Sequence, residues 1–198
     1  MSYDLAISYQ TFNINPSKVD ILRVQSSLKE VYCMPKNLQP TKSNHGQESV
    51  WDYPRPPRLE SVTEHIRVVY NDQVIADSRQ AYRVLETSHP PCYYISPTDI
   101  EMMYLTRTEK ETYCEFKGTA SYYTLRVGDK SVINTAWFYS HPSKGFEAIA
   151  DYISFYASNM DACYVGDEKV QPQAGDFYGG WITSKITGPF KGGAGTRG

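Results

Sequence analysis

The stretch RVLETSHPPCYYIS, residues 83–96, decides how the rest of the chain is read. AYRVLE before the turn and CYYIS after it are rich in β-branched and aromatic residues, the composition of strands. Thr87-Ser88-His89-Pro90-Pro91 between them cannot continue a strand. Two prolines remove N–H donors and fix φ, so the connection is a rigid turn in which an X-Pro bond could be cis. The same turn also crowds a carboxylate, two hydroxyls, an imidazole and a thiol. A turn this stiff serves either a fold or a chemical site.

Further strands lie on both sides of it. HIRVVYNDQVIADS reads as a hairpin about Asn71-Asp72. TYCEFKG and ASYYTLRVG make another pair, SVINTAWFYS a further strand, and DACYVGDEKV a last hairpin about Gly166-Asp167. Two short helices are expected among them. Ser96-Pro97-Thr98-Asp99 has the spacing of a capping box, and Ile100, Met103 and Tyr104 then share a face. Phe146, Ile149, Ala150 and Ile153 fall at i, i+3, i+4 and i+7. The expected fold is mainly β: a compact curved antiparallel sheet or a partly open small barrel with two short accessory helices, not a βαβ alternation.

Residues 1–48 read as an N-terminal extension. Asn15-Pro16 opens a helix carrying Val19, Ile21, Leu22, Val24, Leu28, Val31 and Tyr32, and Pro35–Glu48 is a polar linker. Residues 49–190 form the β-rich domain. Its first stretch, WDYPRPPRLE, reads as an extended strap with Trp51 and Tyr53 packed inward, or as a ligand for a proline-binding domain. Residues 191–198 read as a flexible Gly-rich tail without the Gly-Lys-Ser/Thr of a phosphate loop.

Bulk properties narrow the function classes. The 198 residues carry a formal charge of −2 and no basic block, which argues against nucleic acid as a partner. No apolar run approaches a membrane span and the first residues lack a secretory pattern, so a cytoplasmic location without membrane contact is expected. Cys33, Cys92, Cys114 and Cys163 are scattered and read as free thiols. No cofactor motif is present and none is expected. Tyrosine is abundant, 17 residues, which suits half-buried sheet faces and pocket linings alike.

VWDYPRPPRLE, VIADSRQAYRVLETSHPPCYYIS, TYCEFKGTASYY, AWFYSHP, FYASNMDACYV and PQAGDFYGGWIT, taken together, resemble the family catalogued as domain of unknown function 427. The resemblance runs from about Val50 to Phe190. It implies a compact, mainly β domain found in bacteria and fungi, and no established activity. A nucleotidyltransferase label is sometimes attached to the family. That chemistry needs a D-x-[DE] pair after a Gly-Ser turn to hold magnesium, and this chain has none.

Candidate chemistry gathers around the opening stretch. Strand alternation puts Tyr82, Val84 and Glu86 on one face and Arg83, Leu85 and Thr87 on the other. In TYCEFKG it puts Thr112, Cys114 and Phe116 opposite Tyr113, Glu115 and Lys117. Arg83 opposite a carboxylate such as Glu115 is either a structural pair or an anchor for an anionic ligand. Glu115 and Lys117 are either a solvent-facing ion pair or an acid–base couple at a pocket mouth, and His89 is a further candidate base. Gly179-Gly180 let the backbone approach another strand or a ligand closely.

The expected pocket has Tyr93, Tyr122, Trp137 and Tyr139 as its wall and Arg83, Glu86, Thr87, Glu115 and Lys117 as its polar groups. It would bind, or transform by acid–base chemistry without metal, an unknown small polar molecule. A non-catalytic binding or interaction module is the alternative. A zinc site from His89, Cys92, Cys114 and Cys163, or a reactive thiol, is a third reading. An exposed sheet edge would permit a homodimer.

Overall fold

In the computed structural model, residues 46–175 and 177–192 are described. The expected N-terminal helix, most of the polar linker and residues 193–198 of the tail lie outside them. Fifteen strands run through the described residues: β1 (Glu48–Ser49), β2 (Arg58–Val62), β3 (Ile66–Tyr70), β4 (Gln73–Ser78), β5 (Ala81–Leu85), β6 (Cys92–Ile95), β7 (Leu105–Cys114), β8 (Gly118–Val127), β9 (Lys130–Phe138), β10 (Ile153–Phe155), β11 (Ala162–Val165), β12 (Glu168–Lys169), β13 (Gln171–Pro172), β14 (Trp181–Ile182) and β15 (Ile186–Thr187).

Seven strands form one antiparallel sheet in the order β2-β5-β6-β10-β9-β8-β7. Four form a second, β12-β11-β3-β4, and two small pairs, β1-β15 and β13-β14, complete the set. The architecture is mainly β and antiparallel, with β1-β15 the parallel pair. No closed barrel forms among the described residues, because β2 and β7 remain unpaired edges of the large sheet.

The hairpins follow from turn chemistry. Asn71 and Asp72 both take positive φ, 47° and 59°, as a two-residue turn matched to strand twist requires. Gly166 and Gly128 supply φ of 62° in the β11-β12 and β8-β9 turns.

The two accessory helices do not form. Ser96 does cap the turn, its Oγ accepting from Thr98 N–H, but only a three-residue 3-10 turn, Pro97–Asp99, follows before Ile100 goes extended. At the second site the 3-10 turn is Glu147–Ile149, and Ile153 begins β10 instead. An apolar stripe spaced for a helix is equally satisfied by one tight turn and then an alternating strand, since Ile153 and Phe155 both face one core.

That core lies between the two larger sheets. Ala81, Tyr93, Ile95, Ala136, Phe138, Ile153 and Phe155 from the seven-stranded sheet pack with Ile66, Val68, Ile75 and Cys163 from the four-stranded one. The alternate residues on the other face of the large sheet, Val84, Tyr94, Ala120, Tyr122, Trp137 and Tyr139, build a second, aromatic cluster closed off by Phe146, Ile149 and Tyr156. A third cluster holds the strap. Val50 and Tyr53 pack on Leu85 and Ile186, and Trp51 Nε1 donates to Pro189 O at 2.9 Å. The strap is thus part of the fold, with both of its aromatics turned inward. The cis X-Pro bonds are Arg55–Pro56 and Gly188–Pro189, not those of the Pro90-Pro91 turn.

Candidate functional site

The turn after β5 is held from two directions. His89 N–H closes it onto Glu86 O at 3.0 Å, with Ser88 in the left-handed region at φ 71°. The strap grips it through Ser88 N–H to Val50 O and Thr87 Oγ1 to Tyr53 O, and the C-terminal segment through Lys191 N–H to Ser88 O. Its geometry is therefore fixed by chain segments far away in sequence. What it presents, on the aromatic face of the sheet, is Glu86 and His89.

That face encloses a cavity of about 270 Å³. Its walls are aromatic: Tyr94, Tyr122, Trp137, Tyr139, Tyr156 and Tyr178. Trp137 Nε1 donates to Tyr94 Oη at 3.2 Å, and Trp137 and Tyr156 lie ring to ring at 4.6 Å. Gly179 is needed there. A Cβ on it would sit 2.7 Å from Cη2 of Trp137, and its φ of 70° suits glycine. Gly180 is as tightly placed, against Gln173 Oε1 and Pro90 O. The paired glycines thus approach side chains of the wall and the Pro90 turn.

Of the residues expected at the pocket, the structure brings Glu86, His89, Glu115, Lys117, Tyr122, Trp137 and Tyr139 to this cavity. It does not bring Arg83, Thr87 or Tyr93. Alternation sends all three to the opposite face or to the strap. Arg83 pairs with Glu48 and Glu60, donating from NH2 at 3.0 and 2.8 Å. Thr87 bonds Tyr53 O, and Tyr93 packs on Trp181 at 5.1 Å between centroids. Arg83 is a structural cation, and its partner is not Glu115.

Glu115 and Lys117 do not share a strand face. β7 ends at Cys114, which pairs with Gly118, so residues 115–117 are the tip of a three-residue hairpin. Gly118 takes φ 94° to close it. Glu115 points outward, its side chain 64% exposed and bonded to Arg55 NH2 at 2.5 Å, while Arg55 NH1 holds Glu86 at 2.8 Å. Lys117 turns inward and is 8% exposed, and its backbone carbonyl accepts from Ser143 N–H of the 141–146 loop. Its Nζ lies 5.9 Å from the Phe146 ring centre and has no anionic partner among the described residues.

His89 is equally buried, 8% exposed. Its Nδ1 lies 2.9 Å from Thr87 O, a carbonyl, so Nδ1 carries the proton. Nε2 is then a bare acceptor, buried without a partner beside the Tyr178 ring. Burial lowers the His89 pKa. The charges of Lys191 and Lys117 push the same way, while Glu86 and the Thr87 carbonyl oppose. The neutral imidazole is the resident form.

Cys92 and Cys114 also border the cavity. Burial pushes the Cys92 thiol up to about 12, with Lys117 pulling weakly against it, so Cys92 is a thiol and not a thiolate near neutral pH. Cys163 lies in the other core, so the four residues of the zinc reading do not converge. Among the described residues no group of three His, Cys, Asp or Glu is arranged to hold a metal.

The sequence pattern catalogued as a domain of unknown function, DUF427, matches residues 58–166, more than half of the chain. The chain belongs to the DUF427 family. The match is narrower than the stretch from Val50 to Phe190 read from the sequence. Residues 51–57 of the strap and the Gly179-Gly180 segment, both used in the cavity's construction, fall outside the DUF427 match. No curated protein matches the chain. No helix among the described residues is long and apolar enough to cross a membrane.

Sequence reasoning missed Tyr94, Tyr156, Tyr178, Arg55 and Lys191 as cavity residues. Tyr94 was within reach, since it lies opposite Tyr82 on the Val84–Glu86 face. Tyr178 had a signal in the paired glycines beside it. Nothing in the Gly-rich tail distinguished Lys191.

Proposed function

We propose that this DUF427 chain binds a small polar organic molecule in the aromatic cavity and that His89 acts there as an acceptor or general base. The observation that carries the reading is His89 itself, a residue of the cavity lining, buried with one ring nitrogen donating to Thr87 O and the other left without a partner beside the Tyr178 ring. A buried polar atom left unsatisfied costs roughly 1–3 kcal/mol. A ligand O–H or N–H that shifts the Tyr178 ring aside would satisfy it. Glu86, Lys117, Tyr122, Trp137 and Tyr139 complete the binding surface, and an aromatic wall with few convergent polar groups suits a small ligand. Glu115, tied to Arg55 outside, has a secondary role at the rim.

The test is a thermal-shift screen of small polar molecules of both charge signs, followed by NMR mapping of every stabilising compound. Hits are expected to move the His89 ring and Trp137 indole resonances saturably. Hits that map elsewhere, or none at millimolar concentration, would sink the reading.

A further inference from the structure

The Tyr122 hydroxyl bonds Thr112 Oγ1 at 2.9 Å, and the Tyr94 hydroxyl accepts from Trp137. Gln173 is used at both ends, by Gly180 N–H and by Lys191 O. Glu86 and Glu115 share one guanidinium, Arg55, which leaves one negative charge between the two carboxylates of the wall. Two polar groups of the wall then remain without a hydrogen bond or ion pair among the described residues: the fully buried His89 Nε2, and the ammonium of Lys117, a residue 8% exposed. Lys191 adds a further positive charge, its Nζ 5.3 Å from the Tyr178 ring centre.

Arg55, Lys117 and Lys191 against Glu86 and Glu115 leave one net positive charge, and with it one bare acceptor, in an aromatic setting. An ammonium with little exposure and no carboxylate in reach is stabilised by an anion that joins it. A neutral imidazole whose Nδ1 is already a donor can only accept at Nε2. We infer that the preferred ligand is a small organic anion, a carboxylate in its simplest form, that also carries an O–H or N–H donor on a planar apolar body. The anion meets Lys117, the donor meets His89 Nε2, and the planar part lies against Trp137 and the tyrosines. This inference rests on the pocket reading above and adds the sign of the charge and the place of the donor.

A matched probe series on the full chain at neutral pH tests it: para-hydroxybenzoate, benzoate, para-hydroxybenzamide and tyramine, followed by NMR at the Trp137 indole. Para-hydroxybenzoate is expected to bind tightest. Removing its charge (the amide) or its donor (benzoate) should weaken binding roughly tenfold or more, the worth of one charge-assisted or buried hydrogen bond. Lys117→Met should level the acid with its amide, Lys117→Arg should keep the acid's preference in part, and His89→Phe should level para-hydroxybenzoate with benzoate. If the amide or tyramine binds as tightly as the acid to the unaltered chain, the charge assignment is wrong while the pocket stands. If no probe perturbs Trp137, both the inference and the pocket reading fall.

Discussion

Lys117 and Arg83 are both cations largely withdrawn from water, and they differ in their company. Arg83 is flanked by Glu48 and Glu60, which hold its guanidinium firmly charged despite burial. Lys117 has an aromatic ring and no carboxylate. Truncating the first breaks a partly buried network, whereas truncating the second removes an unpaired charge. Arg83→Met is therefore expected to cost about 2 kcal/mol, below the fully buried range because the pair is partly solvated. It should leave affinity at the cavity unchanged. Lys117→Met is expected to show no fall in Tm without ligand and to lose anion binding. Urea melts and probe titrations on the two variants separate these roles, and a destabilised Lys117→Met with normal binding would reverse them.

The His89 imidazole couples stability to pH. Its folded pKa lies below its unfolded value, so between the two the unfolded chain binds more protons and stability rises with pH. Its full contribution is present above roughly pH 6.5 and is lost as pH falls toward the depressed folded value, at no more than about 1.4 kcal/mol per pH unit. Glu60 and Glu64 act lower. Burial alone would raise Glu60, but the hydrogen bonds and charges of Arg83 and Arg58 more than offset it, and Glu64 is lowered first by a backbone hydrogen bond. Their contribution is present above about pH 4.5 and is lost below it. His89→Gln should flatten the upper limb of a stability–pH curve and leave the lower one; an unchanged upper limb would mean that His89 is not held neutral.

At the scale of elements, the cavity depends on a loop that cannot tolerate a side chain. Gly179→Ala adds a methyl into the Trp137 ring at a positive φ. It is expected to cost about 1–3 kcal/mol and to perturb Trp137 fluorescence. Equal stability by chemical denaturation would show that the 177–180 segment yields easily. The same scale explains what the sequence could disclose. Alternation sorted Tyr82, Val84 and Glu86 from Arg83, Leu85 and Thr87 correctly, because period two is a property of one strand. It does not say which face of a strand meets which face of another. The expected pocket therefore mixed Glu86 with Arg83, Thr87 and Tyr93, which the structure parts. The missing information is the order β6-β10-β9, in which a three-residue strand, hidden in what read as a helix, joins Tyr94 to Trp137 across the sheet. Lys117 was found and its orientation was not, because alternation stops where the hairpin turns at Glu115.

For the whole molecule, the family segment and the folding unit are different lengths of chain. Residues 58–166 contain most of both larger sheets but lack Val50, Tyr53 and Trp181. Trp181 is fully buried in the main core, with Nε1 bonded to Phe155 O at 3.0 Å. Replacing a residue of this kind by alanine costs about 3–5 kcal/mol, a large part of the 5–15 kcal/mol that a domain has. A chain of residues 58–166 is expected to show no cooperative unfolding transition, and one of residues 46–192 to show a single one, by circular dichroism in urea. A cooperative 58–166 would mean that the flanking segments decorate the fold and do not complete it.

The pairing of β1 with β15 has a consequence during synthesis. Glu48 lies opposite Ile186 and Ser49 opposite Thr187, so the strap cannot be locked until nearly the last described residue has been made. At 5–20 residues per second the wait is on the order of 10 s. For that interval the nascent chain has its sheets' tyrosines without Tyr178 and Trp181, and the turn bearing His89 lacks the bond from Lys191 N–H to Ser88 O. A ribosome-bound chain halted before β15 clears the exit tunnel would expose the aromatic face to chaperones and to its neighbours on the same message.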